Sequence, residues 1–184
     1  MLCAFDLLQI GDEYLRNAPF GERLARLLNL FASFQHPVIH VVETHFTVQH
    51  KHEAFERLKA AGREGVVFKL ITAPYTAGRP ASGGSQFKFK FCETASFIVD
   101  KVNGKRSISL LLNDAGKMVS AGNVTIPTNH EIPRPGQIVE CRYLYAFKES
   151  GSVYQPVYLG VRDDIPADEC TVDQLEFKYV GANI

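Results

Sequence analysis

Leu24, Leu27, Leu28 and Phe31 recur at i, i+3, i+4 and i+7, a stripe that a helix gathers on one face, so residues 19–34 are predicted to form an amphipathic helix. Pro19 suits its first turn, where a missing N–H costs nothing. Ahead of it, Leu2 to Ile10 reads as a strand closed by a Gly11-Asp12 turn. After it, Val38-Ile39-His40-Val41-Val42 is a β-branched run of the kind buried strands use, and Ala54 to Ala61 is a second, short helix ended by Gly62. Gly65 to Ile71 follows as a strand. A Pro/Gly/Ser-rich loop over residues 73–85 then leads into Phe87-Lys88-Phe89-Lys90-Phe91. Strict alternation there sets three phenylalanines on one face, expected to be buried, and both lysines on the other.

From Glu93 onward helical periodicity disappears and short strand candidates alternate with turn signals. The candidates are Ala95 to Val102, Ser107 to Leu112, Val119 to Ile126, Ile138 to Tyr145 and Val153 to Val161. Asn103-Gly104, Asp114 to Gly116, Pro133 to Gly136 and Lys148 to Gly151 punctuate them. Five strands so connected fit a small barrel of the OB type, and a fragment of a sandwich would give a similar pattern. The fold class is therefore α+β, with two domains, 1–92 and 93–184, meeting near residues 91–94.

Composition narrows the class. A chain of 184 residues with 46% apolar and 22% charged residues has the balance of a soluble globular protein. The first ten residues carry no basic region or cleavage site, and no uncharged apolar run approaches the roughly 20 residues a bilayer requires. A cytoplasmic protein without a membrane partner is expected. Cys3, Cys92, Cys141 and Cys170 form no CxxC pair, and the five histidines from His36 to His52 lack acid or cysteine partners at ligand spacing, so no zinc site is expected.

The net charge is zero, but it is unevenly spread. Residues 1–92 hold 11 Lys+Arg against 8 Asp+Glu, and residues 93–184 hold 9 against 12. Between Glu64 and Glu93 lie Lys69, Arg79, Lys88 and Lys90 and no carboxylate, as a phosphate-handling surface requires. In the second half, Lys105, Arg106, Lys117 and Arg142 are candidates for contact with a nucleic-acid backbone.

Glu64 followed by Lys69, Lys88 and Lys90 supplies a carboxylate for a divalent metal and point charges for phosphate oxygens, the parts of a nucleotidyl-transfer site. Phe5-Asp6-Leu7-Leu8 with Gly11, Leu15, Pro19 and Arg23 resembles nucleotidyltransferase motif III of the ATP-dependent DNA ligases. Glu64-Gly65-Val66-Val67-Phe68-Lys69 resembles motif IV, the Tyr75 to Arg79 spacing resembles the segment that follows it, and Lys88-Phe89-Lys90 resembles motif V. Gly122-Asn123-Val124, the stretch from Pro135 to Glu140, and the stretch from Pro156 through Arg162-Asp163-Asp164 to Cys170 resemble the ligase OB domain.

The resemblance implies the C-terminal portion of a nucleotidyltransferase (adenylation) domain followed by an all-β, five-stranded OB-fold barrel. It implies Phe5 stacking on adenine, Glu64 on Mg2+, and Lys88 and Lys90 on the α-phosphate of ATP. A place for Phe5 in the core of the Leu2 to Ile10 strand is the alternative. Lys69 is ranked lower among the nucleotide-binding residues, because strict pleating sets it on the face opposite Glu64. Arg162 stands near motif VI and would act with the OB domain closed over ATP, although Asp164-Ile165 replaces the usual Asp-Lys pair.

The implied function is nick sealing in DNA through lysyl-AMP and DNA-adenylate intermediates, as in repair, recombination and replication. The nucleophilic lysine of the family lies in Lys-x-Asp-Gly, and no such motif occurs in the 184 residues. The chain is therefore expected to be a fragment, or a reading frame truncated at Met1, unable to form lysyl-AMP alone. Its implied partners are nicked double-stranded DNA and an N-terminal adenylation segment in cis or in trans. An RNA ligase or capping-type nucleotidyltransferase, and a noncatalytic nucleic-acid-binding OB module, are the competing readings.

Overall fold

The computed structural model describes residues 2–32, 36–78 and 84–178. They fall into two units, one spanning Met1–Leu58 and Gly65–Phe89, the other Lys59–Glu64 and Lys90–Ile184. Among the described residues no helix is long and apolar enough to cross a membrane.

In the first unit the stretch expected as one strand is two: β1 (Leu2–Ala4) and β2 (Gln9–Ile10). The break follows Phe5-Asp6, where the Asp6 carboxylate accepts the Leu7 N–H at 2.9 Å and turns the chain. β2 folds back on β3 (Glu13–Tyr14) across the Gly11 turn, whose φ of 56° suits glycine.

Helix α1 (Phe20–Ala32) begins one residue after Pro19, whose carbonyl accepts the Glu22 and Arg23 N–H groups at 3.1 Å each. Its first two N–H groups, which a helix leaves open, donate to Ala73 and Ile71 carbonyls at 2.8 and 2.9 Å. That approach requires glycine at 21, since a Cβ there would lie 2.7 Å from the Ile71 side chain. The buried stripe is Phe20, Arg23, Leu24 and Leu27 with Phe31 packed beside it; Leu28, expected on that face, is 47% exposed. The stripe starts a turn earlier than the leucines suggest, which rotates Leu28 outward.

β4 (Ile39–Val41) runs parallel to β1, pairing Leu2 with Ile39 and Ala4 with Val41. Helix α2 (Val48–Ala60) starts six residues before the expected Ala54, because Thr47 Oγ1 accepts the His50 N–H and caps it. β5 (Gly65–Lys69) and β6 (Gln86–Lys90) form a two-stranded sheet. The expected burial of the phenylalanine face is not found: Phe87 is 59% and Phe89 49% exposed, and only Phe91 is buried. Phe87 leans on Phe68 and Phe89 on Phe55, at 5.8 and 5.3 Å between ring centres, so alternation is present without a layer to bury it.

The second unit is built on a five-stranded antiparallel sheet. Its strands are β7 (Glu93–Asn103), β8 (Ser107–Asp114), β9 (Lys117–Thr125), β10 (Ile138–Tyr143) and, after a hairpin of β11 (Tyr145–Ala146) with β12 (Val153–Tyr154), β13 (Val157–Arg162). The order is β13-β10-β7-β8-β9. Ile108, Leu110 and Leu112 alternate inward along β8 and meet Phe97, Val124, Val139 and Cys141 in one continuous core.

The two strands expected over 138–145 and 153–161 are each split, the second at Gln155-Pro156. Gln155 adopts a φ of 53°, and proline brings no N–H to a ladder. The inner halves pair as the β11–β12 hairpin. Gln174, on a 3-10 turn (Val172–Gln174), closes the C-terminal stretch onto β7: its amide accepts the Ser96 N–H at 2.8 Å and donates to the Ser96 and Thr171 carbonyls at 3.1 and 2.9 Å.

Candidate functional site

Asp6 organises the first unit. Its carboxylate takes Arg23 Nε and Nη2 at 2.8 and 3.0 Å, with side-chain exposures of 10% and 3%. Arg23 also donates to the Ala18 carbonyl at 2.6 Å, so a charge carried on the buried face of α1 is fully partnered. Burial pushes the Asp6 carboxyl up, but the Arg23 hydrogen bond and the Lys69 and Arg23 charges outweigh it and hold the pKa below the ordinary value.

Lys69, at the end of β5, is aimed at the same group. Its ammonium lies 3.3 Å from Asp6 Oδ2, donates to the Phe5 carbonyl at 3.3 Å, and stands 4.3 and 5.0 Å from the Phe20 and Phe5 ring centres. Phe5 itself is 63% exposed, just past β1, which removes it from the core. Beside them a small cleft of about 30 Å³ is lined by Asp6, Arg23, Lys69, Tyr75, Thr76 and Gln86, room for one water-sized group. Thus the structure brings Phe5 and Lys69 together. Lys88 is exposed on β6, and Arg79 lies outside the described residues.

In the second unit Glu64 and Lys90 meet one hairpin. The Tyr145 hydroxyl donates to Glu64 Oε1 at 3.5 Å, and Lys90 Nζ donates to Gln155 Oε1 at 2.5 Å. Glu64 stands just before β5, which begins at Gly65 as expected, so strict pleating does not relate it to Lys69. Arg162 closes β13, donating from Nε to Asp164 Oδ1 at 2.9 Å and from Nη1 to Ser96 Oγ at 3.3 Å. The Asp164 pairing raises its pKa and lowers that of Asp164, so its charge is already engaged.

Arg106 is not available to a nucleic acid. Its guanidinium is spent on the Ile126, Pro127 and His130 carbonyls. Lys105, Lys117 and Arg142 are exposed. The Asp6–Arg23 pair and the Tyr145 and Gln155 contacts were given no role by sequence reasoning. Asp6 and Arg23 stand in the quoted motif, so an acid beside Phe5 with an arginine on the apolar stripe was a usable signal; the hairpin contacts, 65 and 81 residues apart in sequence, left none.

Phe5 is thus an exposed ring flanked by the Lys69 ammonium. Residues 1–90 match the model of the ATP dependent DNA ligase domain. The chain is 38% identical over 106 residues to a probable DNA ligase of Mycolicibacterium gilvum (strain PYR-GCK), covering 56% of this chain and 20% of that protein. It is 34% identical over 95 residues to a probable DNA ligase of Nocardia farcinica (strain IFM 10152), covering 52% and 17%. A solved structure from a structure-function study of Lig E DNA ligases superposes with a TM-score of 0.60 at 25% identity over 86% of this chain and 62% of that one. The chain thus spans about a fifth of the length of the curated relatives it matches.

Proposed function

We propose that this chain serves ATP-dependent sealing of nicks in double-stranded DNA, as the back portion of an adenylation domain (residues 1–92) joined to an OB-fold barrel (residues 93–184). Three features of the second unit support the barrel: register shifts at Glu140/Cys141, Val99/Val102 and Leu110/Leu111 bend the sheet, β9 and β13 come into contact from opposite ends of the strand order, and the core is continuous. In this reading AMP passes from ATP to the lysine of a Lys-x-Asp-Gly segment supplied in cis or in trans, then to the 5′-phosphate at the nick. The 3′-hydroxyl then attacks and AMP leaves.

The observation that carries the reading is Phe5, exposed and flanked by Lys69, in the matched segment. Adenine stacks on Phe5, Lys69 neutralises charge beside it, and Lys88 and Lys90 take the α-phosphate, work that is positioning and electrostatics. Arg162 acts on ATP only once Asp164 releases it.

Among the described residues no group of three or more His, Cys, Asp or Glu is placed to hold a metal, so the fit for Mg2+ rests on Glu64. One exposed carboxylate with substrate phosphates and waters is a set Mg2+ accepts, and the bound ion would offset phosphate charge there.

The test follows the Phe5 ring resonances of the 184-residue chain on addition of ATP with magnesium, beside binding of nicked duplex at two salt concentrations. A shift at Phe5, lost in Lys69→Ala, is the expected result. Salt-dependent DNA binding with Phe5 unmoved by ATP would favour a noncatalytic DNA-binding module.

A further inference from the structure

We propose that Gln155 is a positioning residue that holds the Lys90 ammonium for phosphate, an inference that rests on the phosphate role given to Lys90 above. Gln155 Oε1 accepts from Lys90 Nζ at 2.5 Å. The partner is a neutral amide oxygen, which fixes the direction of the ammonium, uses one of its three N–H donors and leaves its charge uncancelled. Lys69 shows the alternative: its ammonium faces the Asp6 carboxylate, and part of its charge is spent there.

The backbone at Gln155 supports a built contact. Its φ of 53° is uncommon for a residue that is not glycine, and such conformations persist where the surroundings enforce them. Here those surroundings are the β11–β12 hairpin, in which Tyr145 pairs with Tyr154 and stacks on it at 5.0 Å. The same hairpin presents the Tyr145 hydroxyl to Glu64, again a neutral partner for a charged side chain. Burial and the Glu64 charge both push the Tyr145 pKa up, keeping that hydroxyl a donor. One short hairpin therefore meets both charged residues with groups that orient them without neutralising them.

The experiment follows the Lys90 side-chain Cε resonance of the 184-residue chain during titration with inorganic tripolyphosphate. It compares wild type with Gln155→Glu, Gln155→Asn and Lys90→Ala, with circular dichroism to verify folding. Gln155 is exposed, so its variants keep the core. Gln155→Glu keeps the reach and cancels the charge; it should raise the half-saturating tripolyphosphate concentration about tenfold, the low end for a hydrogen bond to a charged group. Gln155→Asn tolerates the left-handed backbone but is one methylene short, and should give a smaller increase with a Lys90 resonance typical of a freely rotating side chain. If both Gln155 variants match wild type while Lys90→Ala loses binding, the positioning role is overturned and the phosphate role of Lys90 stands. If tripolyphosphate leaves the Lys90 resonance unmoved in wild type and Lys90→Ala binds as well as wild type, the phosphate role falls and the positioning role with it.

Discussion

The two units handle apolar sequence differently. In the second, strands β7 to β10 and β13 share one core in which Phe97, Ile108, Leu110, Leu112, Val139 and Tyr143 are fully buried. In the first, the described core amounts to Phe20, Leu24 and Leu27 with a few partly buried neighbours, while Leu2, Phe5, Val67, Leu70 and Phe87 are more than half exposed. Similar strand-like patterns are therefore worth very different amounts, because an alternating strand contributes stability only through the layer that covers it. The first unit is held instead by local devices: the Asp6–Arg23 pair, the carbonyl caps at the start of α1, and Lys69 across Phe5 and Asp6.

The sharpest break in this contrast is a matched pair of truncations. Phe97→Ala removes a ring with no exposure and should cost about 3 to 5 kcal/mol, whereas Phe89→Ala, half exposed on its strand, should cost about 1 kcal/mol. Urea unfolding followed by circular dichroism measures both; equal losses would mean the first unit buries more than its surface shows.

Next in size is Asp6→Ala, which leaves the buried Arg23 guanidinium without its carboxylate and should destabilise by about 3 kcal/mol at neutral pH. Because the folded Asp6 pKa is depressed, the stability it contributes is complete above the ordinary carboxylate range, about 4, and is lost as pH falls through the folded value. The difference in unfolding midpoint between wild type and Asp6→Ala should therefore narrow below about pH 4, and a gap that stays constant into stronger acid would refute the assignment.

The mildest probe leaves the protein intact. Burial, with a smaller contribution from Glu140, pushes the Cys141 thiol up to about 12, and burial also raises Cys170, while Cys3 and Cys92 are exposed. A thiol reagent at pH 8 should label Cys3 and Cys92 within minutes and Cys141 only on unfolding, since the thiolate is the reactive form. Mass spectrometry of the labelled chain reads the result, and early labelling of Cys141 would mean that the second core opens readily.

Periodicity identified α1 and the neighbourhood of every long strand in the second unit, because those elements bury one face and the pattern records it. It misplaced Leu28 and split neither the 138–145 nor the 153–161 run, since a left-handed Gln155 leaves no mark on hydrophobicity. The phenylalanine alternation over 87–91 correctly gave a strand and wrongly gave its environment. Of the candidate site, Phe5 and Lys69 were both named, but their contact was not, because it joins residues 64 apart that no local pattern relates. The Asp6–Arg23 pair could have been suspected from an arginine on the apolar stripe of α1, whereas Lys90–Gln155 joins residues 65 apart and is invisible to local pattern.

Gln174 joins the C-terminal stretch to β7 through a single side-chain amide standing where a neighbouring peptide group would otherwise be. Such a seam has a chemical lifetime. Slow hydrolysis of that amide to a carboxylate would turn its two donated hydrogen bonds into oxygen facing the Ser96 and Thr171 carbonyls, so an aged preparation should come to contain a second population, one mass unit heavier, whose C-terminal turn has let go of β7 while keeping its bonds to Tyr143 and Asn113.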